Sequence, residues 1–382
     1  MIDWMESWKA LHDVQYKGIS TNGHVDPTVH QLADEGVDLG APVESMVEAA
    51  NKIQLLASPS ELQAIYYSIN AEEWRQWINP EIYVFRHGIR LEEASPELIA
   101  AIHGLLKASL SPSGYAKARG CMKVNDFLGK LVAGEKVLNE ISYNFAIFGT
   151  PSIKEPWGWQ IFGHHFCMNC LVIGKQMALA PVFMGAEPNV IDEGPDKGTE
   201  LFTNQEAAGM ALMASLDEAT QARVLVTDDV YCSALPGWRF HRADQRHLGG
   251  AFQDNREIPY EGSLVSTFTT AQQQKVRHII ELSLDYLPDG ALKARLSEIH
   301  DHWDRTYFAW IGGFKTGDAF YYSIHSPVVL LEFDHHSGVF LSNKAPLPFH
   351  IHTLIRTPNG NDYGKELIRQ YWRRKQIGGT DT

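Results

Sequence analysis

The sequence predicts an α+β fold, with mainly antiparallel sheet from residues about 140–185 and 304–356 under a cover of helices. Runs rich in aromatic and β-branched residues, bounded by Gly and Pro, come in two hairpin-like groups. Helical periodicities flank each group instead of alternating with single strands. No linker-like stretch divides the chain. It reads as one large domain over 1–382, with a helical layer at 1–135 and a sheet-bearing part at 136–382.

The N-terminal third is helical in pattern. VESMVEAANKIQLLA (43–57) has apolar residues at helical spacing, and SPSELQAIYYSI follows with Ser58 or Ser60 as a cap and Pro59 in a first turn. SPELIAAIHGLLKASL (95–110) repeats the Ser-Pro start, and 111–132 continues the helical character. Near residue 139 the pattern changes to NEISYNFAIFG, WGWQIFGHHFCMNCLVIG and QMALAPVFMG, which read as three successive strands. Gly174-Lys175 is a hairpin turn between the second and third. A polar loop at 186–200 precedes helices at about 203–216 and 217–225, and 232–266 is irregular. Helices at 269–287 and from Asp289-Gly290 onward lead to four strands: RTYFAWIGG, DAFYYSIHS, VVLLEFDHH and FHIHTLIR. A last amphipathic helix runs from about Tyr363 to Lys375.

Composition narrows the function classes. The 382 residues are 44% hydrophobic and 21% charged, as in an ordinary globular protein. A net charge of -13 repels phosphate backbones, so a nucleic-acid partner is not expected. No stretch approaches the ~20 apolar residues of a membrane helix, and no cationic leader precedes an apolar run, so the expectation is a cytoplasmic protein without a membrane partner. Four sparse cysteines read as free thiols, and Cys167-x-x-Cys170, with no second such pair, as two small core residues.

Histidines carry the chemistry. Alternate side chains of a strand share a face, so His350, His352, Leu354 and Arg356 in HIHTLIR lie together. Two imidazoles at that spacing can meet one metal ion, and an Arg on the same face can grip a carboxylate or phosphate. The plainer alternative is that the pair only packs between strands. In GHHFCMN, read as one regular strand, His165 shares a side with Trp157, Trp159, Gly163 and Asn169, and His164 points the other way. A bulge at Gly163 would exchange the two. Glu332 interrupts an apolar run, and a buried carboxylate needs a metal, an Arg or a His. Asp334, His335 and His336 sit at that strand's end and read as a turn. The Gly-rich pieces lack a phosphate-binding spacing, and no G-x-S-x-G elbow occurs.

FGTPSIKEPWGWQIFGHHFCMN, PVFMGAEP and LLEFDHH…HIHTLIRTPNGNDYGKELIRQYW together resemble an uncharacterised family, domain-of-unknown-function family 3500. The resemblance spans nearly the whole chain and implies a single family-wide unit. It implies that Trp157, Trp159, Gly163, His164, His165, Asn169, Glu332, His350, His352, Arg356, Asn361 and Asp362 occupy motif positions. It implies no activity.

The expected function is a metal-dependent enzyme acting on a small, anionic organic molecule. His350, His352, His165 and Glu332 are the expected ligands of a divalent iron or zinc ion. Glu332, His164 and His165 are the acid–base candidates, and Arg356, Trp157, Trp159 and Asn169 the substrate contacts. Iron oxygenase chemistry and zinc hydrolase or lyase chemistry are both open. So are a metal-free His/Glu isomerase or lyase and a non-catalytic small-molecule binder.

Overall fold

The computed structural model describes residues 3–378. Twelve strands form one sheet. Their ranges are β1 Tyr66–Tyr67, β2 Ile89–Arg90, β3 Tyr143–Phe148, β4 Trp157–Gly163, β5 Phe166–Ile173, β6 Gln176–Ala186, β7 Leu225–Thr227, β8 Ser263–Leu264, β9 Tyr307–Gly312, β10 Phe320–His325, β11 Leu330–Ser337 and β12 Pro346–Arg356. The order is β1-β3-β4-β5-β6-β12-β11-β10-β9-β7, with β2 on β3 and β8 on β9. All pairings are antiparallel except β1 with β3 and β7 with β9. The α+β reading therefore holds, and the two strand groups are joined because β12 pairs with both β6 and β11.

The predicted helices form at Val43–Leu56, Pro59–Ile65, Pro96–Ser109, Pro112–Leu131, Thr203–Ser215, Glu218–Val224, Thr270–Leu284, Asp289–Asp301 and Lys365–Gly378. Local chemistry sets their starts. Ser58, Ser95 and Ser111 each accept a backbone N–H of the first turn, with Pro following at the first helical position. Between strands, Gly174 has φ +54, which suits the turn joining β5 to β6.

Alternation gives the sheet two unlike faces. One is apolar: Trp157, Trp159, Met168, Val182, Met184, Phe333, Ile351 and Ile355 pack with helical residues such as Met46, Leu105 and Ile280. The other carries Gln160, Asn169, Glu332, Asp334, His336, His350, His352 and Arg356, all buried. Loops and short 3-10 turns cover much of this polar face; Trp74, Trp77, Ala251, Phe252 and Tyr363 pack there against Phe162, Cys167, Phe183 and Leu354. No described helix is long and apolar enough to cross a membrane.

One strand expected from the sequence is two. WGWQIFG and FCMNCLVI are separate strands, paired Gly163↔Phe166, and His164 and His165 form the two-residue turn between them. His165 takes φ +60, so the chain reverses there and the face count starts afresh. Trp157 and Trp159 face the helices, and His165, beyond the last residue of their strand, does not share their side. Trp159 Nε1 donates to Ser109 Oγ at 3.0 Å, and Trp157 Nε1 donates to the Ser152 carbonyl at 2.8 Å. Cys167 and Cys170 fall into different core clusters on opposite faces, which precludes joint use of the pair.

A core role for Trp159 gives a direct expectation. Trp159→Ala should lower unfolding free energy in urea by about 3–5 kcal/mol, the usual cost of emptying a buried indole site. A loss below about 1 kcal/mol would contradict its placement against the helices.

Candidate metal centre

Three imidazoles converge on the polar face. The Nε2 atoms of His165, His350 and His352 are 3.2 Å (165–350), 3.0 Å (350–352) and 3.1 Å (165–352) apart. Among the described residues they form the group of metal-capable side chains whose donor atoms all lie within 4.8 Å of one another. All three are buried, with exposures of 3%, 1% and 4%, so bulk water does not solvate these nitrogens.

Each imidazole is aimed by backbone structure. Ile351 and Ile355 turn toward the helices, which sends His350 and His352 to the opposite face. His352 lies opposite Gly185 on one side and Asp334 on the other. A Cβ at Gly185 would come within 2.9 Å of His352 Cδ2 and 3.1 Å of His165 Cδ2, so glycine there lets the two rings close. The turn delivers His165: its N–H donates to the Asn79 carbonyl at 3.0 Å, and its carbonyl accepts from Gly185 N–H at 2.7 Å.

Burial, reinforced by the charges neighbouring imidazoles would carry, pushes all three well below the ordinary histidine value. They are neutral at neutral pH, the form a metal needs. The trio also poses a packing problem without a cation. One Nε2–H can donate to a bare Nε2, but with three nitrogens and two tautomers at least two alike always face each other, hydrogen to hydrogen or lone pair to lone pair. One ion at their centre satisfies all three.

Further groups surround the trio. His164 stacks on His165 with centroids 3.9 Å apart, and its Nδ1 donates to Asn125 Oδ1 at 2.8 Å. Burial lowers His164 to about 3. His336 stacks on His352 at 4.1 Å, and its Nδ1 donates to Asp334 Oδ2 at 3.0 Å. Arg246 grips both oxygens of Asp334, at 2.5 and 3.0 Å. The His247 ring lies 5.8 Å from that of His352. Glu187, directly after β6, is fully buried, with Oε1 3.7 Å from His350 Nδ1; burial pushes its carboxyl up to about 7.

Other residues expected at the site lie elsewhere or have other partners. Glu332 accepts from Leu248 N–H (2.7 Å) and Tyr321 hydroxyl (2.7 Å) on one oxygen and from Gly249 N–H (2.9 Å) on the other. These bonds anchor the 248–249 segment, and Glu332 is not in the converging group. Arg356 is wholly buried, and Asp254 at 2.6 Å and Asp362 at 2.9 Å engage two of its three nitrogens. The Asn169 amide donates to the Pro181 carbonyl at 2.9 Å, and its carbonyl accepts from Gln160 at 2.5 Å. Trp157 and Trp159 face away. A 730 Å³ cavity lies on the helical side, against Met177, Leu179, Tyr286 and Arg295, and is lined by none of the six histidines around the centre.

Sequence reasoning missed Glu187, His247 and Arg246. It read Asp334 and His336 as a turn, although β11 runs on to Ser337 and presents both on the polar face. The period-2 pattern, carried four residues past Glu332, places both on its face.

The chain belongs to a family described as a protein of unknown function, DUF3500, whose model matches residues 39–365. No curated protein and no solved structure matches it.

The Glu332 anchor has a pH signature. Burial by itself would raise this carboxyl. His247, 3.8 Å away, and the N–H groups of Leu248 and Gly249 outweigh burial and hold it at about 2 against an ordinary 4.5. A depressed folded-state value stabilises the fold above the unfolded value, and that contribution fades as pH falls from about 4.5 toward 2. Glu332→Gln should therefore cost on the order of 3 kcal/mol near neutrality, with the deficit shrinking as the pH of chemical denaturation is lowered below ~4.5. A deficit that does not change between pH 7 and pH 3 would refute this account.

Proposed function

We propose that this member of the family is a metal-dependent enzyme whose divalent ion is held by Nε2 of His165, His350 and His352. The convergence of three buried, neutral imidazole nitrogens within 3.0–3.2 Å carries the reading. With bonds of about 2.0–2.1 Å, such nitrogens subtend roughly 90–105° at a common ion. That places all three on one side of it and leaves the opposite side for water and substrate.

The donor set favours zinc-type chemistry. Two histidines and a carboxylate are the usual iron oxygenase set, and the carboxylate expected for it, Glu332, is bonded to other partners. Three imidazoles with an open position are a known catalytic zinc set. A zinc ion held this way supplies a Lewis acid and brings the pKa of a bound water to about 7. Hydrolysis or a lyase reaction of a small organic molecule follows from this. Three neutral ligands leave the ion its full charge, which suits an anionic substrate, and the enclosed position suits a small one.

His336 is the acid–base partner of this reading. Asp334 holds its Nδ1, and Arg246 holds Asp334, which leaves His336 Nε2 to exchange a proton. Asn125 fixes His164 as a packing group behind His165. Arg356, Trp157 and Trp159 have no substrate role here.

Metal uptake tests the proposal. Protein stripped with a chelator and dialysed against zinc should bind about one equivalent per chain. His350→Ala with His352→Ala should abolish this binding, and Glu332→Gln should retain it. Full zinc stoichiometry in the folded double variant would end the proposal.

A further inference from the structure

The polar face is closed near the trio by residues 338–345, a strap between β11 and β12. Its crest is at solvent: Val339 is 71% exposed. Gly338 N–H donates to the Asn343 carbonyl at 3.0 Å, which makes the strap a tight turn. The strap meets the histidine centre at two points. The Phe340 ring stands edge-on to His164 at 5.6 Å, and His164 stacks on the ligand His165. Leu341 N–H donates to Glu187 Oε1 at 3.1 Å, and the N–H groups of Val339 and Phe340 also face that carboxylate.

Glu187 faces the metal centre with the same oxygen. Oε1 lies 3.7 Å from His350 Nδ1. Among the described residues neither His350 Nδ1 nor Glu187 Oε2 has a hydrogen-bond partner, and both atoms are buried. The Ser337 carbonyl, at the root of the strap, is another group facing His350. An imidazole bonded to an ion through Nε2 carries its proton on Nδ1, and ligating histidines donate that N–H to a carboxylate or carbonyl. Of these acceptors Glu187 holds the strap and Ser337, the last residue of β11, leads into it; the Asp334 carboxylate, which also acts on His350, is taken by Arg246 and His336.

We propose that Glu187 is a positioning residue that couples metal binding at the trio to closure of the 338–345 strap. The coupling rests on the metal reading above. An ion on His350 Nε2 fixes the proton on Nδ1, Nδ1–H donates to Glu187, and the anchored carboxylate holds the backbone N–H groups of the strap. Coupling is reciprocal, so a closed strap tightens the ion and a loosened strap weakens it.

Hydrogen exchange of the full chain read by mass spectrometry, with and without zinc, tests this without any substitution. In the wild type, zinc should slow exchange of peptides covering 338–345 by about tenfold or more. Glu187→Ala should bind zinc about 10–100-fold more weakly and lose the zinc-dependent protection. Glu187→Gln, which keeps an acceptor and the side-chain volume, should recover part of both. A variant that merely destabilised the fold would raise exchange throughout the sheet, whereas this coupling changes the strap alone. Zinc bound through His350 and His352 with strap exchange unchanged overturns the coupling and leaves the metal site standing. So does zinc affinity in Glu187→Ala equal to wild type. No zinc bound by the wild type overturns both.

Discussion

Insertion of β12 between β6 and β11 is the constraint on which the rest of the structure depends. It joins two strand groups more than a hundred residues apart into one sheet, and its register places Gly185, His352 and Asp334 side by side. The register is held by Ile351 and Ile355 buried among the helices. A slip of one residue would drive those isoleucines into the polar face and His350 and His352 into the apolar core. Hydrophobic burial on one face is therefore what aims imidazoles on the other, and the bare backbone of Gly185 is what lets them close on His165.

A polar buried face is costly unless its groups are satisfied, and here charges are satisfied in pairs that also tie down the cover. Arg246 reaches Asp334, Arg75 and Arg356 share Asp254, and Glu332 takes the backbone of 248–249. Residues 244–256 thus form a covering segment held by ionic contacts to the sheet and by Ala251 and Phe252 packed on it. Most of the carboxylates have these structural partners, and the trio is left as three uncharged donors. The division follows from solvation: an unpaired charge would be neutralised or expelled at such depth, whereas a neutral imidazole is stable there until a cation arrives.

The sequence made the H-I-H pair legible because strand periodicity is insensitive to distant context. Flanking isoleucines mark one face as buried, and the histidines take the other. Aromatic and β-branched runs bounded by Gly and Pro likewise mark the major strands, and helical spacing with Ser-Pro starts marks the helices. GHHF failed for a local reason: none of Gly, Asn or Asp stands at the turn itself, and a histidine adopts the left-handed conformation instead. With the turn unseen, counting straight through it assigns His165 and Asn169 to the face of Trp157 and Trp159, which they do not share. Glu332 was read correctly as a carboxylate in need of a partner. Its partners are backbone N–H groups 83 and 84 residues earlier and a neighbouring-strand tyrosine, which no spacing encodes. His247 and Glu187 lie in irregular chain, where no periodicity assigns a face. The short edge strands at 66–67, 89–90, 225–227 and 263–264 depend on long-range pairing alone.

Enclosure of the centre has a consequence for how it works. Imidazoles only 1–4% exposed cannot receive an ion or a substrate through a static wall. The covering segments differ in what binds them. The 244–256 segment is fastened by buried Arg–Asp contacts and by the bonds to Glu332, whose rupture leaves uncompensated charge in the interior. The 338–345 strap is held by hydrogen bonds to one carboxylate and by an aromatic edge contact, with its crest already in water. Opening the strap breaks hydrogen bonds to one buried acid and one ring contact instead of buried ion pairs, so it is the less costly way in. Two of the three imidazoles are fixed on β12 and the third in the β4–β5 turn, whereas the strap carries none of them.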